Sequence, residues 1–81
     1  MLIAYGHYDW VPNDVRARFG QKLRVLRKKR GWTQDKMADV LGLDRSYLAE
    51  IEEGKRNPGL MNLEVIAQGF ELTLAQLFSR V

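Results

Sequence analysis

GWTQDKMADVLGLDRSYLAEIEEG, residues 31–54, holds two short amphipathic segments on either side of a single internal glycine. Thr33 offers a side-chain oxygen to cap a helix from Gln34 to about Leu41, whose inward residues are Met37, Ala38 and Leu41. The capping box is incomplete, because Lys36 stands where Glu or Gln would close it. Gly42 follows at once and suits the left-handed backbone that ends a helix in a tight turn. Asp44 then caps a second segment from Arg45 to about Glu53, which Gly54 stops. Two short helices joined by a brief glycine-containing turn form a helix-turn-helix outline.

Upstream, Asn13 or Asp14 caps a helix reaching about Arg30, with Phe19, Leu23 and Leu26 on one face, a basic opposite face, and Gly31 as the stop. Downstream, Asn57-Pro58-Gly59 makes a loop, since the residue before proline is pushed out of the helical region. A fourth helix runs from about Leu60 to Phe70, with Leu60, Leu63, Ile66, Ala67 and Phe70 as its apolar face. Thr73-Leu-Ala-Gln76 has the capping-box form and opens a last helix ending near Ser79, with Leu74, Leu77 and Phe78 apolar. No strand alternation appears after residue 12, so the chain reads as all-α. It divides into an aromatic N-terminal arm, residues 1–12, and one five-helix domain, residues 13–81. Leu60, Leu63, Ile66, Leu74, Leu77 and Phe78 read as core, some of them doubling as a dimer surface, because a domain this small buries a modest core unless it gains a partner.

Charge is unevenly placed. The chain carries a formal +3, yet residues 1–30 hold eight Lys/Arg against two acids while residues 31–81 hold five against eight. A basic end on a small domain suits a nucleic-acid or anionic-surface partner. Cysteine is absent, which excludes disulfides and thiolate metal sites and is compatible with a reducing cytoplasm. No apolar run has the length of a membrane span, and the first residues lack the basic region and long apolar core of a secretory signal. The expectation is a cytoplasmic protein that is not an enzyme. It has no cysteine nucleophile, no phosphate-binding glycine loop, and no metal-ligand cluster. His7 is the single histidine, without partners for a relay or a metal, and no cofactor or small-molecule ligand is implied.

Around the third helix, Arg45, Ser46, Ala49, Glu50 and Glu53 share one side, Leu48 and Ile51 point toward the domain, and Tyr47 lies on the border. A helix entering a DNA major groove reads bases mainly from its first turn, where an arginine pairs bidentately with guanine O6 and N7. Arg45 sits in that turn, Ser46 beside it suits a base or phosphate, and Glu50 farther along suits cytosine N4.

The run from Gly31 to Phe78, through Thr33-Gln34, Ala38, Gly42, Ile51-Glu52, Gly54-Lys55 and Pro58, resembles the helix-turn-helix domain of the phage repressor and Cro family, also called Xre-like regulators. Within that family, LDRSYLAEIEEGKRNP (residues 43–58) is most similar to the controller proteins of restriction–modification systems. The resemblance implies a compact five-helix, lambda-repressor-like domain with its helix-turn-helix at helices two and three. It further implies a homodimer on double-stranded operator DNA, regulating transcription. By the same resemblance, Arg45, Ser46 and Glu50 contact bases. Thr33, Gln34, Tyr47, Lys55, Arg56 and Asn57 contact the DNA backbone or nearby sugars, and Arg27 pairs with Glu52 inside the fold. Asp35 and Lys36 stand in place of the family's usual acidic pair, and Glu53 takes a place often held by a basic residue. A prophage-type repressor and an antitoxin-like protein-interaction module are the alternative readings.

Overall fold

The computed structural model describes residues 14–81; the arm reading of residues 1–12, with Tyr5, His7, Tyr8 and Trp10, lies outside them. Five helices follow in order: α1 (Val15–Lys29), α2 (Gln34–Leu41), α3 (Arg45–Glu52), α4 (Leu60–Gly69) and α5 (Leu74–Leu77). No strand occurs among the described residues.

Local chemistry sets the helix starts. Asp14 Oδ1 accepts from the backbone N–H of Arg16 at 2.8 Å, Thr33 Oγ1 from Lys36 at 3.0 Å, and Asp44 Oδ2 from Tyr47 at 3.0 Å. Each satisfies an amide that the helix itself leaves unpaired. At α5 the box closes completely: Thr73 Oγ1 accepts from Gln76 N at 3.1 Å, and Gln76 Oε1 accepts from Thr73 N at 2.9 Å. Gly31, Gly42 and Gly54 follow helix ends with φ of 70°, 68° and 78°, the left-handed region that most side chains avoid. Four of the helices end one or two residues before the sequence places their ends, because Arg30, Glu53, Phe70 and Phe78 already occupy caps.

The core gathers Phe19 and Leu23 of α1, Met37 and Leu41 of α2, Leu48 and Ile51 of α3, Ile66 and Ala67 of α4, then Phe70 and Leu77. α1 packs chiefly on α3, α2 on α3 and α4, and α4 on α5. The crossing of α1 over α3 is unusually close at Gly20. A Cβ there would lie 2.7 Å from the Glu52 carbonyl oxygen and nearer still to that of Ile51. A four-residue helix such as α5 has little stability alone. Lys22 holds it from α1, donating through Nζ to the carbonyls of Gln76 (3.3 Å) and Ser79 (2.7 Å), and Phe78 stacks on Phe19 with centroids 5.3 Å apart.

One expectation about the core is corrected. Leu60 opens α4 73% exposed, beside Met61, also 73% exposed. Apolar spacing identified a helix face, but Leu60 sits at its open end, where it remains outside the core. Leu74 and Phe78 are likewise partly exposed.

Candidate nucleic-acid interface

Glu52 organises the interior edge of the helix-turn-helix. Its side chain is fully buried and accepts from Arg27 Nε at 2.7 Å and Nη2 at 3.1 Å, from Gln34 Nε2 at 3.1 Å, and from Arg24 Nε at 3.3 Å. Arg27 Nη1 also donates to the Trp32 carbonyl at 3.0 Å. Burial alone would push the Glu52 carboxyl up. The hydrogen bonds from Arg27 and Gln34, the Arg27 charge and the Arg24 bond outweigh it and hold the group below its ordinary value. On Arg27 the hydrogen bond it donates to Glu52 dominates over burial and raises the guanidinium pKa in turn. Glu52 is therefore part of the scaffold, tying α1, α2 and α3 together, and adds no anion to the outer surface.

Outside this anchor, α3 turns Leu48 and Ile51 into the core and leaves Arg45, Ser46 and Glu53 exposed, with Tyr47, Ala49 and Glu50 half-buried. Arg45 Nε lies 2.8 Å from Asp35 Oδ1, an exposed pair joining the starts of α3 and α2. Glu50 Oε1 accepts from Arg56 Nε at 2.7 Å, and the Arg56 guanidinium sits 5.3 Å from the Tyr47 ring centroid. Tyr47 Oη accepts from Asn62 Nδ2 of α4 at 3.0 Å. Lys55 Nζ lies 3.2 Å from Glu53 Oε1, and Asn57 is exposed on the loop that follows. Thr33 and Gln34 stand at the start of α2, where unpaired backbone N–H groups favour an anion.

The residues singled out from the sequence thus gather around one surface, formed by α3, the N-terminal turn of α2 and the loop after α3. The acids on it are not a bare negative patch: Asp35, Glu50 and Glu53 each face a cation. Sequence reasoning missed Asp35 as the partner of Arg45, Asn62 as the partner of Tyr47, and Arg24 and Gln34 as partners of Glu52. All four contacts join different elements, so no local spacing announces them. Arg27-Lys28-Lys29-Arg30 does not act as one cationic run. Arg27 turns inward, and Arg30 lies near the Trp32 and Phe70 rings and donates to the Phe70 carbonyl at 2.8 Å. Among the described residues no three His, Asp or Glu cluster as a metal site, and no helix is long and apolar enough to cross a membrane.

A five-helix all-α domain, with a glycine-turned pair at α2 and α3 and the polar side of α3 outward, is a helix-turn-helix domain of the repressor/Cro, Xre-like type, a class of DNA-binding regulators and not of enzymes. Residues 20–81 match the family described as a helix-turn-helix domain, and the chain belongs to that family. It is 49% identical over 70 residues to control protein C.MunI of a Mycoplasma species, spanning 85% of this chain and 95% of that protein. The restriction–modification controller protein C.AhdI from Aeromonas hydrophila shares its fold with a TM-score of 0.74 and 40% identity, over 78% of this chain and 96% of that one. The controller protein C.Esp1396I, solved as a tetramer in complex with its natural 35 base-pair operator, matches with a TM-score of 0.72 and 30% identity over 79% of this chain and 84% of its own.

Proposed function

We propose that this chain is a restriction–modification controller, a sequence-specific transcriptional regulator that binds a palindromic operator as a dimer. The observation that carries the reading is the outer side of α3, where Arg45 and Ser46 stand exposed in the first turn while Leu48 and Ile51 fix the helix to the core from behind. Arg45, Ser46 and Glu50 read base edges. Thr33, Gln34, Tyr47, Lys55, Arg56 and Asn57 hold the DNA backbone and set register. The likeness to control protein C.MunI and to the operator-bound C.Esp1396I tetramer supports both the controller role and assembly on an operator. The protein acts in the cytoplasm by occupying its operator, without catalysis or cofactor.

Selection of bound duplexes from a random pool tests this directly. A palindrome should emerge, with half-sites about one helical turn (roughly 34 Å) apart. Arg45→Ala should lose guanine preference at one position per half-site, weakening operator binding by about 1–3 kcal/mol per contact. A folded protein that selects no motif refutes the reading.

Leu60 and Met61 supply the dimer face in this proposal, being the two most exposed large apolar side chains among the described residues. Met61→Asp should drive the protein toward monomer in sedimentation and weaken operator binding while sparing the fold. A dimer that persists unchanged places the interface elsewhere.

A further inference from the structure

Asp35 lies on the surface proposed to face a polyanion, where an acid opposes binding. It belongs to one of the two exposed acid–base pairs made by side chains of α3, the buried Glu52 pairs being apart from these. At the far end Arg56 Nε donates to Glu50 Oε1 at 2.7 Å; at the near end the Asp35 carboxylate lies beside Arg45 as an ion pair, Oδ1 2.8 Å from Nε. The near pair is 57% exposed on arginine and 79% on aspartate, so it contributes little to folding. Its placement instead affects what Arg45 can touch. An arginine at an exposed helix start meets phosphate as readily as guanine, and a phosphate contact carries no sequence information. With the carboxylate against Nε, the two terminal nitrogens remain as the planar fork that matches guanine O6 and N7. The carboxylate charge also repels any phosphate approaching the same guanidinium.

We infer that Asp35 is a specificity-determining positioning residue: by placing its charge beside Arg45 Nε it leaves the guanidinium fork to guanine and denies it to phosphate. This rests on Arg45 reading a base. Asp35 lowers general affinity and raises discrimination, the opposite of what its neighbours Thr33 and Gln34 do at the same helix start.

The test is equilibrium binding by the full chain to three duplexes: the selected operator, the same operator with the Arg45-dependent guanine replaced, and a random duplex. Each is measured across a salt series with wild type, Asp35→Asn, Asp35→Glu, Arg45→Ala and the Asp35→Asn/Arg45→Ala double variant. Asp35→Asn should bind the random duplex several-fold more tightly, with a salt slope steeper by about one unit as Arg45 turns to phosphate. Its preference for the intact operator over the guanine-replaced one, on the order of 5- to 100-fold in the wild type, should be mostly lost and approach parity. Asp35→Glu should restore most of that preference, and thermal stability should not move in either variant. In the Arg45→Ala background, Asp35→Asn should change the preference no further. If Arg45→Ala loses the guanine preference but Asp35→Asn keeps it, the positioning role is overturned while base reading stands. If Asp35→Asn tightens all three duplexes equally, Asp35 is only a general repulsive charge and the inference fails. If Arg45→Ala keeps the preference, the base-reading assignment itself fails, and the role of Asp35 with it.

Discussion

Arg27→Met should destabilise the domain by about 3 kcal/mol near neutral pH, because it leaves a buried carboxylate without its principal partner. Arg24 and Gln34 still reach Glu52, but Arg24 is half exposed and bonds at 3.3 Å, so neither replaces the paired bonds from Arg27. The double variant Arg27→Met, Glu52→Leu should recover much of the loss, since apolar groups of similar volume often substitute for a buried pair. Chemical denaturation with an unchanged slope would measure both. The pH dependence has a definite sign. The folded-state pKa of Glu52 is depressed from its ordinary value of 4.5, so the folded protein binds fewer protons than the unfolded chain in the intervening range. The resulting stability is fully present above about pH 5 and is lost as pH falls through the depressed value. In Arg27→Met, burial dominates and raises the same group. The gap between wild type and variant should therefore narrow in acid, and a gap that stays constant from pH 7 to pH 3 would contradict the ion-pair account.

Gly20→Ala should be the second costly change, although alanine is the better helix former by about 1 kcal/mol. The new methyl group would enter the space of the Ile51 and Glu52 carbonyls. Backbone cannot swing aside as a flexible side chain can, so α1 must move away from α3 and loosen Phe19, Leu23 and the Glu52 bonds together. A net loss of about 2–3 kcal/mol is expected, at the upper end of ordinary overpacking. Thermal or denaturant unfolding reads it, and a stabilised Gly20→Ala protein would show that the two helices do not cross this closely.

Thr33, Asp44 and the Thr73–Gln76 box announce their helices in the sequence because a cap is a bond between residues two or three apart. Leu48 and Ile51 are legible for a related reason: a short helix repeats its buried side at fixed spacing. Leu60 fits the same periodicity but misleads, since spacing identifies a helix face without saying where the neighbouring helix stops. The Arg27–Glu52 tie entered through family resemblance, not through spacing. Arg24, Gln34 and Asp35 acquire their partners only once α1, α2 and α3 are set against one another. Gly20 did leave a sign, a glycine in the middle of an otherwise good helix, which calls for a packing reason.

Glu52 is reached from α1 by Arg24 and Arg27 and from α2 by Gln34, while it belongs to α3. Those bonds fix the distance and angle between the two helices that would face DNA. The domain therefore presents a die of constant shape. If the proposed dimer meets two operators that differ in groove width or half-site spacing, the adjustment falls to the bending of the duplex and to the joint of that dimer, and the cost of the deformation becomes part of how one operator is preferred over another.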